Sequence, residues 1–186
     1  MAFLIKSTPL IYFFLCFFSS VLIAKAMVFE NFKGFDASKW QFVSDRVMGG
    51  ISYGEFKLLS EKERTFLKMT GKVSLENNGG FIQVRKKLKR KINSTFSGIK
   101  LNARGNNSVY FIHIRTKFTL LPWQYYQLGF SVSKNWKEFN LKFDDFKRSG
   151  SFLPKYINPS FITSIAIVAY GKEYLVDVDI AEIILF

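Results

Sequence analysis

Apolar and polar residues alternate with a period of two along many short segments of this sequence, and no window shows a sustained period of 3.6 residues. Because successive side chains of a β-strand point to opposite faces, the alternation predicts half-buried strands and argues against a helical fold. Residues 109–115 are apolar on both faces, which predicts a central strand covered on both sides, and residues 164–170 predict a buried strand. The clearest alternating segments are 66–73, 81–88, 99–104, 125–132, 139–143 and 176–180.

Turn-forming residues separate these segments at intervals of about 10 to 15 residues. Residues 77–80 (Asn-Asn-Gly-Gly) predict a hairpin-type turn, because asparagine and glycine tolerate a positive φ, and residues 105–108 predict a second turn. Asn158 and Pro159 predict one helical turn, with asparagine as its N-cap and proline at its first position. Eight or more strands joined in this way predict an all-β fold, a β-sandwich or jelly roll.

The start of the chain carries the features of a targeting segment. Lys6 precedes an apolar, uncharged run over 9–24, and the sequence A-K-A at 24–26 matches a signal-peptide cleavage site. We therefore predict that residues 1–26 are a signal peptide and that 27–186 form a single exported domain, periplasmic, secreted or membrane-associated. An uncleaved anchor is the alternative for the segment, and the mitochondrion is the alternative for the compartment.

The residue types in 27–186 limit the chemistry of that domain. Cys16, the single cysteine, falls in the targeting segment, so the domain has no disulfide, no cysteine ligand and no cysteine nucleophile. His113 is the single histidine and lies between apolar neighbours, which argues against a zinc site or a catalytic triad. No phosphate-binding glycine motif is present. We therefore predict no enzyme activity, no catalytic residue, no cofactor and no metal ion.

Aspartates leave two alternatives to that prediction. Asp144 and Asp145 would be paired carboxylates for glycosidic cleavage, but adjacent residues of a strand point to opposite faces, so a surface turn is favoured. A calcium site with oxygen ligands alone would use Asp45, Asp177 or Asp179.

The net charge of +13 favours anionic partners. Export argues against nucleic acid, so we expect none, and anionic lipid, an acidic glycan or an acidic protein surface fits better. The alternative is that lysine is simply a common surface residue in this protein. The densest basic run, 86–91, is predicted to be a solvated strand end or, alternatively, a contact with lipid head groups or an acidic partner.

Two glycine-containing stretches are the most distinctive motifs. Residues 40–54 read W-Q-F-V-S-D-R-V-M-G-G-I-S-Y-G, and residues 71–81 read G-K-V-S-L-E-N-N-G-G-F. They resemble the two signature stretches of the complex I intermediate-associated protein 30 family, W-x-x-V-S-D-x-V-M-G-G-x-S and G-x-V-S-x-x-N-N-G-G-F. Weaker matches follow in the same order, so that the resemblance spans 29–186.

The resemblance implies a fold and a function. The family has a galactose-binding-domain-like β-sandwich, and its founding members are mitochondrial assembly factors that bind intermediates of respiratory complex I without catalysing a reaction. The first expectation is therefore a non-enzymatic, assembly-factor-like module that binds a protein partner. The expected partner- or ligand-binding residues are Asp45, Arg46, Gly49, Gly50, Asn77, Asn78, Gly79, Gly80 and Arg85.

Both motifs also have a purely structural interpretation. The first loop would then close one end of the sandwich with Asp45 as its bracket, and residues 77–80 would be a tight turn. The alternative function is a carbohydrate-binding module of the cell envelope or secreted space, in which Trp40, Trp123 or Tyr125 stacks on sugar rings. A hydrolase is a third hypothesis, which the single histidine opposes.

Overall fold

The computed structural model describes residues 26–34 and 36–186, and within them the fold is the all-β sandwich expected from the sequence. The predicted signal peptide, apart from Ala26, lies outside the described residues. The strands are β1 Met27–Glu30, β2 Trp40–Ser44, β3 Tyr53–Glu61, β4 Arg64–Val73, β5 Phe81–Lys87, β6 Gly98–Gly105, β7 Val109–Thr116, β8 Tyr126–Ser131, β9 Lys137–Lys142, β10 Lys147–Arg148, β11 Ile162–Tyr170 and β12 Tyr174–Leu185.

Helical structure in the described part of the chain consists of short 3-10 turns at Ala37–Lys39, Asp45–Met48, Glu76–Asn78, Phe143–Asp145 and Pro159–Phe161. The last of these is the turn predicted from Asn158 and Pro159. The Asn158 side chain accepts a hydrogen bond from the backbone N–H of Ser160 at 3.0 Å, and Pro159 opens the turn. None of the described helical segments is long and apolar enough to cross a bilayer.

The strands form two six-stranded antiparallel sheets. The first sheet has the order β3-β4-β12-β6-β9, and β1 pairs with the C-terminal end of β12. The second sheet has the order β10-β8-β7-β11-β5-β2. The predicted central strand, 109–115, is β7, and the predicted buried strand, 164–170, is β11. The two lie side by side in the middle of the second sheet.

The core lies between the sheets, because each strand points alternate side chains inward. Ile112 and Ile114 of β7 and Ile167 of β11 are fully buried, and they belong to one apolar cluster that also contains Leu101 of β6 and Ile180 of β12. Burial of each such side chain contributes about 1.5–3 kcal/mol. The intervening side chains of β7 and β11 point to the outer face of the second sheet, where the candidate site lies.

Two turn predictions need correction. The segment 77–80 is not a hairpin turn, because β4 lies in the first sheet and β5 in the second, so the segment carries the chain across the sandwich. The segment 105–108 crosses from β6 to β7 in the same way. The residue choice still has its physical reason, since Asn77, Asn78 and Asn107 have φ of 56°, 57° and 60°.

Candidate functional site

A groove of about 300 Å³ lies on the outer face of the second sheet. Its floor is the central strand β11, which presents the small side chains of Ser164, Ala166 and Val168. Larger side chains rise from the neighbouring strands, where Ala166 is paired with Arg85 of β5 on one side and His113 of β7 on the other. The groove therefore exists because small residues on one strand lie between large residues on the two strands beside it.

One wall of the groove is aromatic. The rings of His113 and Tyr125 stack with centroids 4.0 Å apart and an interplanar angle of 9°. Tyr170 meets the His113 ring edge-on at 5.7 Å, and burial raises the pKa of Tyr125 to about 12, which keeps its hydroxyl protonated. Trp123 stands at the rim with 67% of its side chain exposed.

Three buried polar atoms in and beside the groove have no hydrogen-bond partner among residues 26–34 and 36–186. They are the Arg85 Nε, the His113 Nε2 and the Gln127 Oε1. His113 and Gln127 are paired across β7 and β8. Because buried polar atoms are usually hydrogen-bonded, these three atoms are candidates for hydrogen bonds to water or to a bound molecule.

His113 is neutral at physiological pH. Burial lowers the pKa of its imidazole to about 4, and the neighbouring Gln127 amide opposes this shift more weakly. The neutral ring carries one donor and one acceptor nitrogen, so His113 offers hydrogen bonding without charge.

Positive charge in the groove comes from two arginines. Arg85 Nη2 donates to Gln41 Oε1 at 2.9 Å. Burial and the nearby Arg85 lower the pKa of Arg115. The Arg115 guanidinium donates to the carbonyl oxygens of Thr119 at 2.7 Å, Leu121 at 3.0 Å and Pro122 at 3.2 Å. Arg115 thereby holds the β7–β8 loop in one conformation beside the groove.

Asp45 joins the two sequence motifs beside the groove. Its buried carboxylate accepts hydrogen bonds from the Ser52 N–H at 2.9 Å, the Gly80 N–H at 2.6 Å, the Phe81 N–H at 3.2 Å and the Ser52 hydroxyl. Burial alone would raise the pKa of the Asp45 carboxyl, but these donors outweigh burial and lower that pKa. Asp45 thus holds the two motifs together, as the structural interpretation of the first loop predicts.

The glycines of both motifs fit around this carboxylate. A Cβ added at Gly50 would lie 2.4 Å from Asp45 Oδ1, and one added at Gly79 would lie 2.6 Å from Asp45 Oδ2. Gly49 and Gly80 have φ of 91° and 135°, which side chains disfavour. The two motifs therefore pack together as one unit, which has no room for a side chain at Gly50 or Gly79.

The expected binding residues divide between this unit and the groove. Arg85 lines the groove, and the turn that begins at Asp45 contributes the exposed side chains of Val47 and Met48 to its rim. Arg46, Asn77 and Asn78 are exposed, and their role in binding stays a prediction.

The aromatic residues of the carbohydrate-binding alternative also divide. Trp123 and Tyr125 line the groove, whereas the expectation for Trp40 is wrong. Trp40 points into the core, is 5% exposed, packs 5.7 Å from the Phe32 ring and donates from Nε1 to Glu30 Oε2 at 3.2 Å.

Sequence reasoning missed Gln83, Gln127, Ser164 and Tyr170, and it assigned no role in binding to His113. The available signal was the pattern of β7 and β11, whose outward positions are mostly apolar or aromatic, apart from Ser164, His113 and Arg115. Such an outer face is typical of a covered surface, but the pattern does not say what covers it.

The aspartates considered for other chemistry lie elsewhere. Asp179 Oδ2 accepts from Arg104 Nε at 2.8 Å, and Asp177 pairs with Lys68. Asp144 and Asp145 lie on an exposed turn, as expected. Across 26–34 and 36–186, no group of three or more His, Cys, Asp or Glu side chains is arranged to hold a metal ion.

Solved structures with the same architecture include carbohydrate-binding modules. The family 11 module of the cellulosomal cellulase Lic26A-Cel5E of Clostridium thermocellum aligns with a TM-score of 0.71 and 15% identity, over 88% of this chain and 95% of the module. The same type of module, in complex with a β-1,3-1,4-mixed-linked tetrasaccharide, aligns with a TM-score of 0.70 and 15% identity over 87% and 95%. A family 30 carbohydrate-binding module aligns with a TM-score of 0.53 and 11% identity over 74% and 91%. At these identities the likeness establishes the fold.

Sequence comparison places the chain in a family. No curated protein matches it at a significant level. The family model described as complex I intermediate-associated protein 30 matches residues 28–176, which include both motifs and every groove residue named above. The chain therefore belongs to the complex I intermediate-associated protein 30 family.

Proposed function

We propose that this protein is a non-catalytic binding module whose groove on the second sheet binds a carbohydrate chain. The observation that carries this proposal is the combination of a stacked aromatic wall with buried, unpartnered polar atoms of Arg85, His113 and Gln127.

The chemistry of a sugar ring fits both parts of that surface. One face of the ring presents C–H groups, which pack on aromatic rings such as those of Tyr125 and Trp123. Each sugar hydroxyl both donates and accepts, so it can serve the Arg85 Nε donor, the Gln127 Oε1 acceptor or the neutral His113 imidazole. The volume of about 300 Å³ is at the lower end of ligand sites, which suits a short stretch of a chain that runs along an open groove. The tetrasaccharide complex of the family 11 module gives a precedent on this fold.

A protein partner is the second candidate, and the family supports it through the assembly intermediates for which it is named. The exposed apolar side chains of Val47 and Met48 at the rim would suit an extended polypeptide better than a sugar. In that case the module would act like an assembly factor and hold a polypeptide in the same groove.

Glycan-array screening followed by calorimetry separates the two candidates. Tyr125→Ala is expected to weaken binding of a glycan identified on the array by about tenfold or more, because it removes one stacking surface. Tyr53→Ala is the matched control, since Tyr53 is an exposed tyrosine on β3 of the other sheet and should leave affinity unchanged.

Two results contradict the carbohydrate proposal. One is an array without any bound glycan, combined with a protein captured from detergent-solubilised membranes and lost on Tyr125→Ala, which would favour the second candidate. The other is equal loss of affinity in both tyrosine variants, which would place the glycan outside the groove.

A further inference from the structure

Two loops form one surface at the end of the second sheet that lies opposite the Asp45 unit. The loop 117–125 joins β7 to β8, and the loop 149–161 joins β10 to β11. Ser149 Oγ donates to the Trp123 carbonyl at 2.9 Å and accepts from the Tyr125 N–H at 3.0 Å. The Tyr126 hydroxyl donates to the Pro154 carbonyl at 2.9 Å. These bonds fix the two loops beside each other, and we refer to them together as the tip.

Large apolar side chains project from the tip into solvent. Phe152 is 96% exposed and Leu120 is 82% exposed, and Tyr156, Leu121 and Phe118 are also exposed. Surfaces of this kind mark interaction sites, because removing apolar side chains from water lowers the free energy of the system. Arg115 donates hydrogen bonds to three carbonyls of the loop 117–125, and these bonds hold that loop in one conformation.

The chain around the tip is basic. The segments 87–97, 115–126 and 146–163 contain no acidic residue. The Leu88 N–H donates to the Thr163 carbonyl at 2.8 Å, which brings the run at 89–91 to the same end of the sheet. The nearest acidic side chains along the chain, Asp144 and Asp145, precede β10. The basic residues are Lys87, Lys89, Arg90, Lys91, Arg115, Lys117, Lys147, Arg148 and Lys155.

We propose that the tip docks this protein on an anionic lipid bilayer. Leu120 and Phe152 would enter the boundary between head groups and acyl chains, while Tyr156 lies at the head-group level, where amphipathic rings are favoured. Lys117, Lys155 and the run at 89–91 would contact the lipid phosphates and carboxylates. Charge complementarity and shape favour a bilayer over a protein, because single side chains protruding from two loop tips suit a fluid surface rather than a fitted one.

Vesicle binding of the full chain tests the proposal. Leu120→Ser/Phe152→Ser should reduce co-sedimentation with phosphatidylcholine vesicles that contain about 30% phosphatidylserine by roughly tenfold or more. The control is Leu59→Ser/Leu175→Ser, which replaces two exposed leucines of the first sheet and should bind as the original chain does. Vesicles of phosphatidylcholine alone should bind less, and added salt should weaken binding. Trp123 is left unchanged, because it also lines the groove.

A local probe keeps the test independent of the N-terminal apolar segment. In a Cys16→Ala background, Phe152→Cys carrying an environment-sensitive dye should shift to the blue on the anionic vesicles, whereas Tyr53→Cys with the same dye should not. Equal binding of the two double variants, or a dye at 152 that stays in water on bound vesicles, overturns the proposal. So does a dimer in solution that Leu120→Ser/Phe152→Ser abolishes, since the tip would then cover a second copy.

Discussion

At the scale of single residues, Asp45 has the clearest structural role. Its carboxylate satisfies three backbone donors and one hydroxyl from segments that are far apart in sequence. Asp45→Ala would leave these donors buried without an acceptor, and we expect it to lower the free energy of unfolding by about 3 kcal/mol or more. Asp144→Ala, at an exposed turn, is the control. Equal denaturation midpoints for the two variants would show that the hydrogen bonds of the Asp45 carboxylate do not stabilise the fold.

His113 gives the protein a pH dependence that can be assigned to one side chain. The folded state holds the imidazole neutral with a pKa of about 4, while the unfolded chain takes up a proton near pH 6.5. Stability therefore falls as pH drops from about 6.5 to about 4, by on the order of 3 kcal/mol. Because no other histidine exists, His113→Gln should flatten the stability profile above pH 4.5 in urea titrations. An unchanged slope in that variant would assign the effect to other groups.

Residues of the groove show where sequence reasoning reached its limit. The period of two tells which side chains share a face, so it places His113 opposite Ile112 and Ile114. It does not tell that Arg85, Gln127 and Ala166 become its neighbours, because strand pairing is set by contacts between segments distant in sequence. Asp45 was identified because its motif resembles that of a known family. Its hydrogen-bond partners could not be predicted from the sequence, because the fold brings them together from distant segments.

At the scale of elements, β7 and β11 were predictable because both of their faces are apolar. β3 was not recognised, because it is an edge strand with most residues exposed, and alternation then carries little signal. The segment 77–80 was recognised as a turn but not as a crossing between sheets. Asparagine and glycine indicate only the local backbone conformation of the turn, whereas the sheet that the following strand joins depends on tertiary contacts.

The strand β11 should be the element that controls access to the groove. Ala166→Leu would fill the floor between Arg85 and His113, so we expect glycan affinity to fall by at least about tenfold. The side chain points away from the core, so the melting temperature should change by only a few degrees. Ser131→Leu, at an exposed position at the end of β8 in the same sheet, is the control for calorimetry. Full affinity in Ala166→Leu would mean that the ligand does not reach the floor.

At the scale of the whole molecule, polar contacts between the two sheets add to the apolar core that they share. Glu30 is the last residue of β1 in the first sheet, and its carboxylate pairs with Lys86 of β5 at 2.7 Å and accepts from Trp40 of β2. We therefore expect both sheets to unfold together. Far-ultraviolet circular dichroism and tryptophan fluorescence should give coincident urea transitions. Two separated midpoints would show that each sheet unfolds independently.

The same architecture separates the surfaces of the molecule. The Asp45 unit and the tip lie at opposite ends of the second sheet, and the groove runs between them. A chain held at a lipid surface by the tip would keep the groove open along its side. With this arrangement, substitutions in the tip would remove the proposed membrane docking, and substitutions in the groove would remove the proposed ligand binding.

The most direct measurement is an amide chemical-shift titration of the isotopically labelled protein with a glycan selected on the array. We expect the perturbed amides to cluster on β5, β7, β8 and β11, around Arg85, His113, Gln127 and Ala166. Amides of β3, β4 and β9 in the other sheet should stay unmoved. Perturbations confined to that other sheet, or none at saturating glycan, would contradict the claim that this groove is a carbohydrate-binding site.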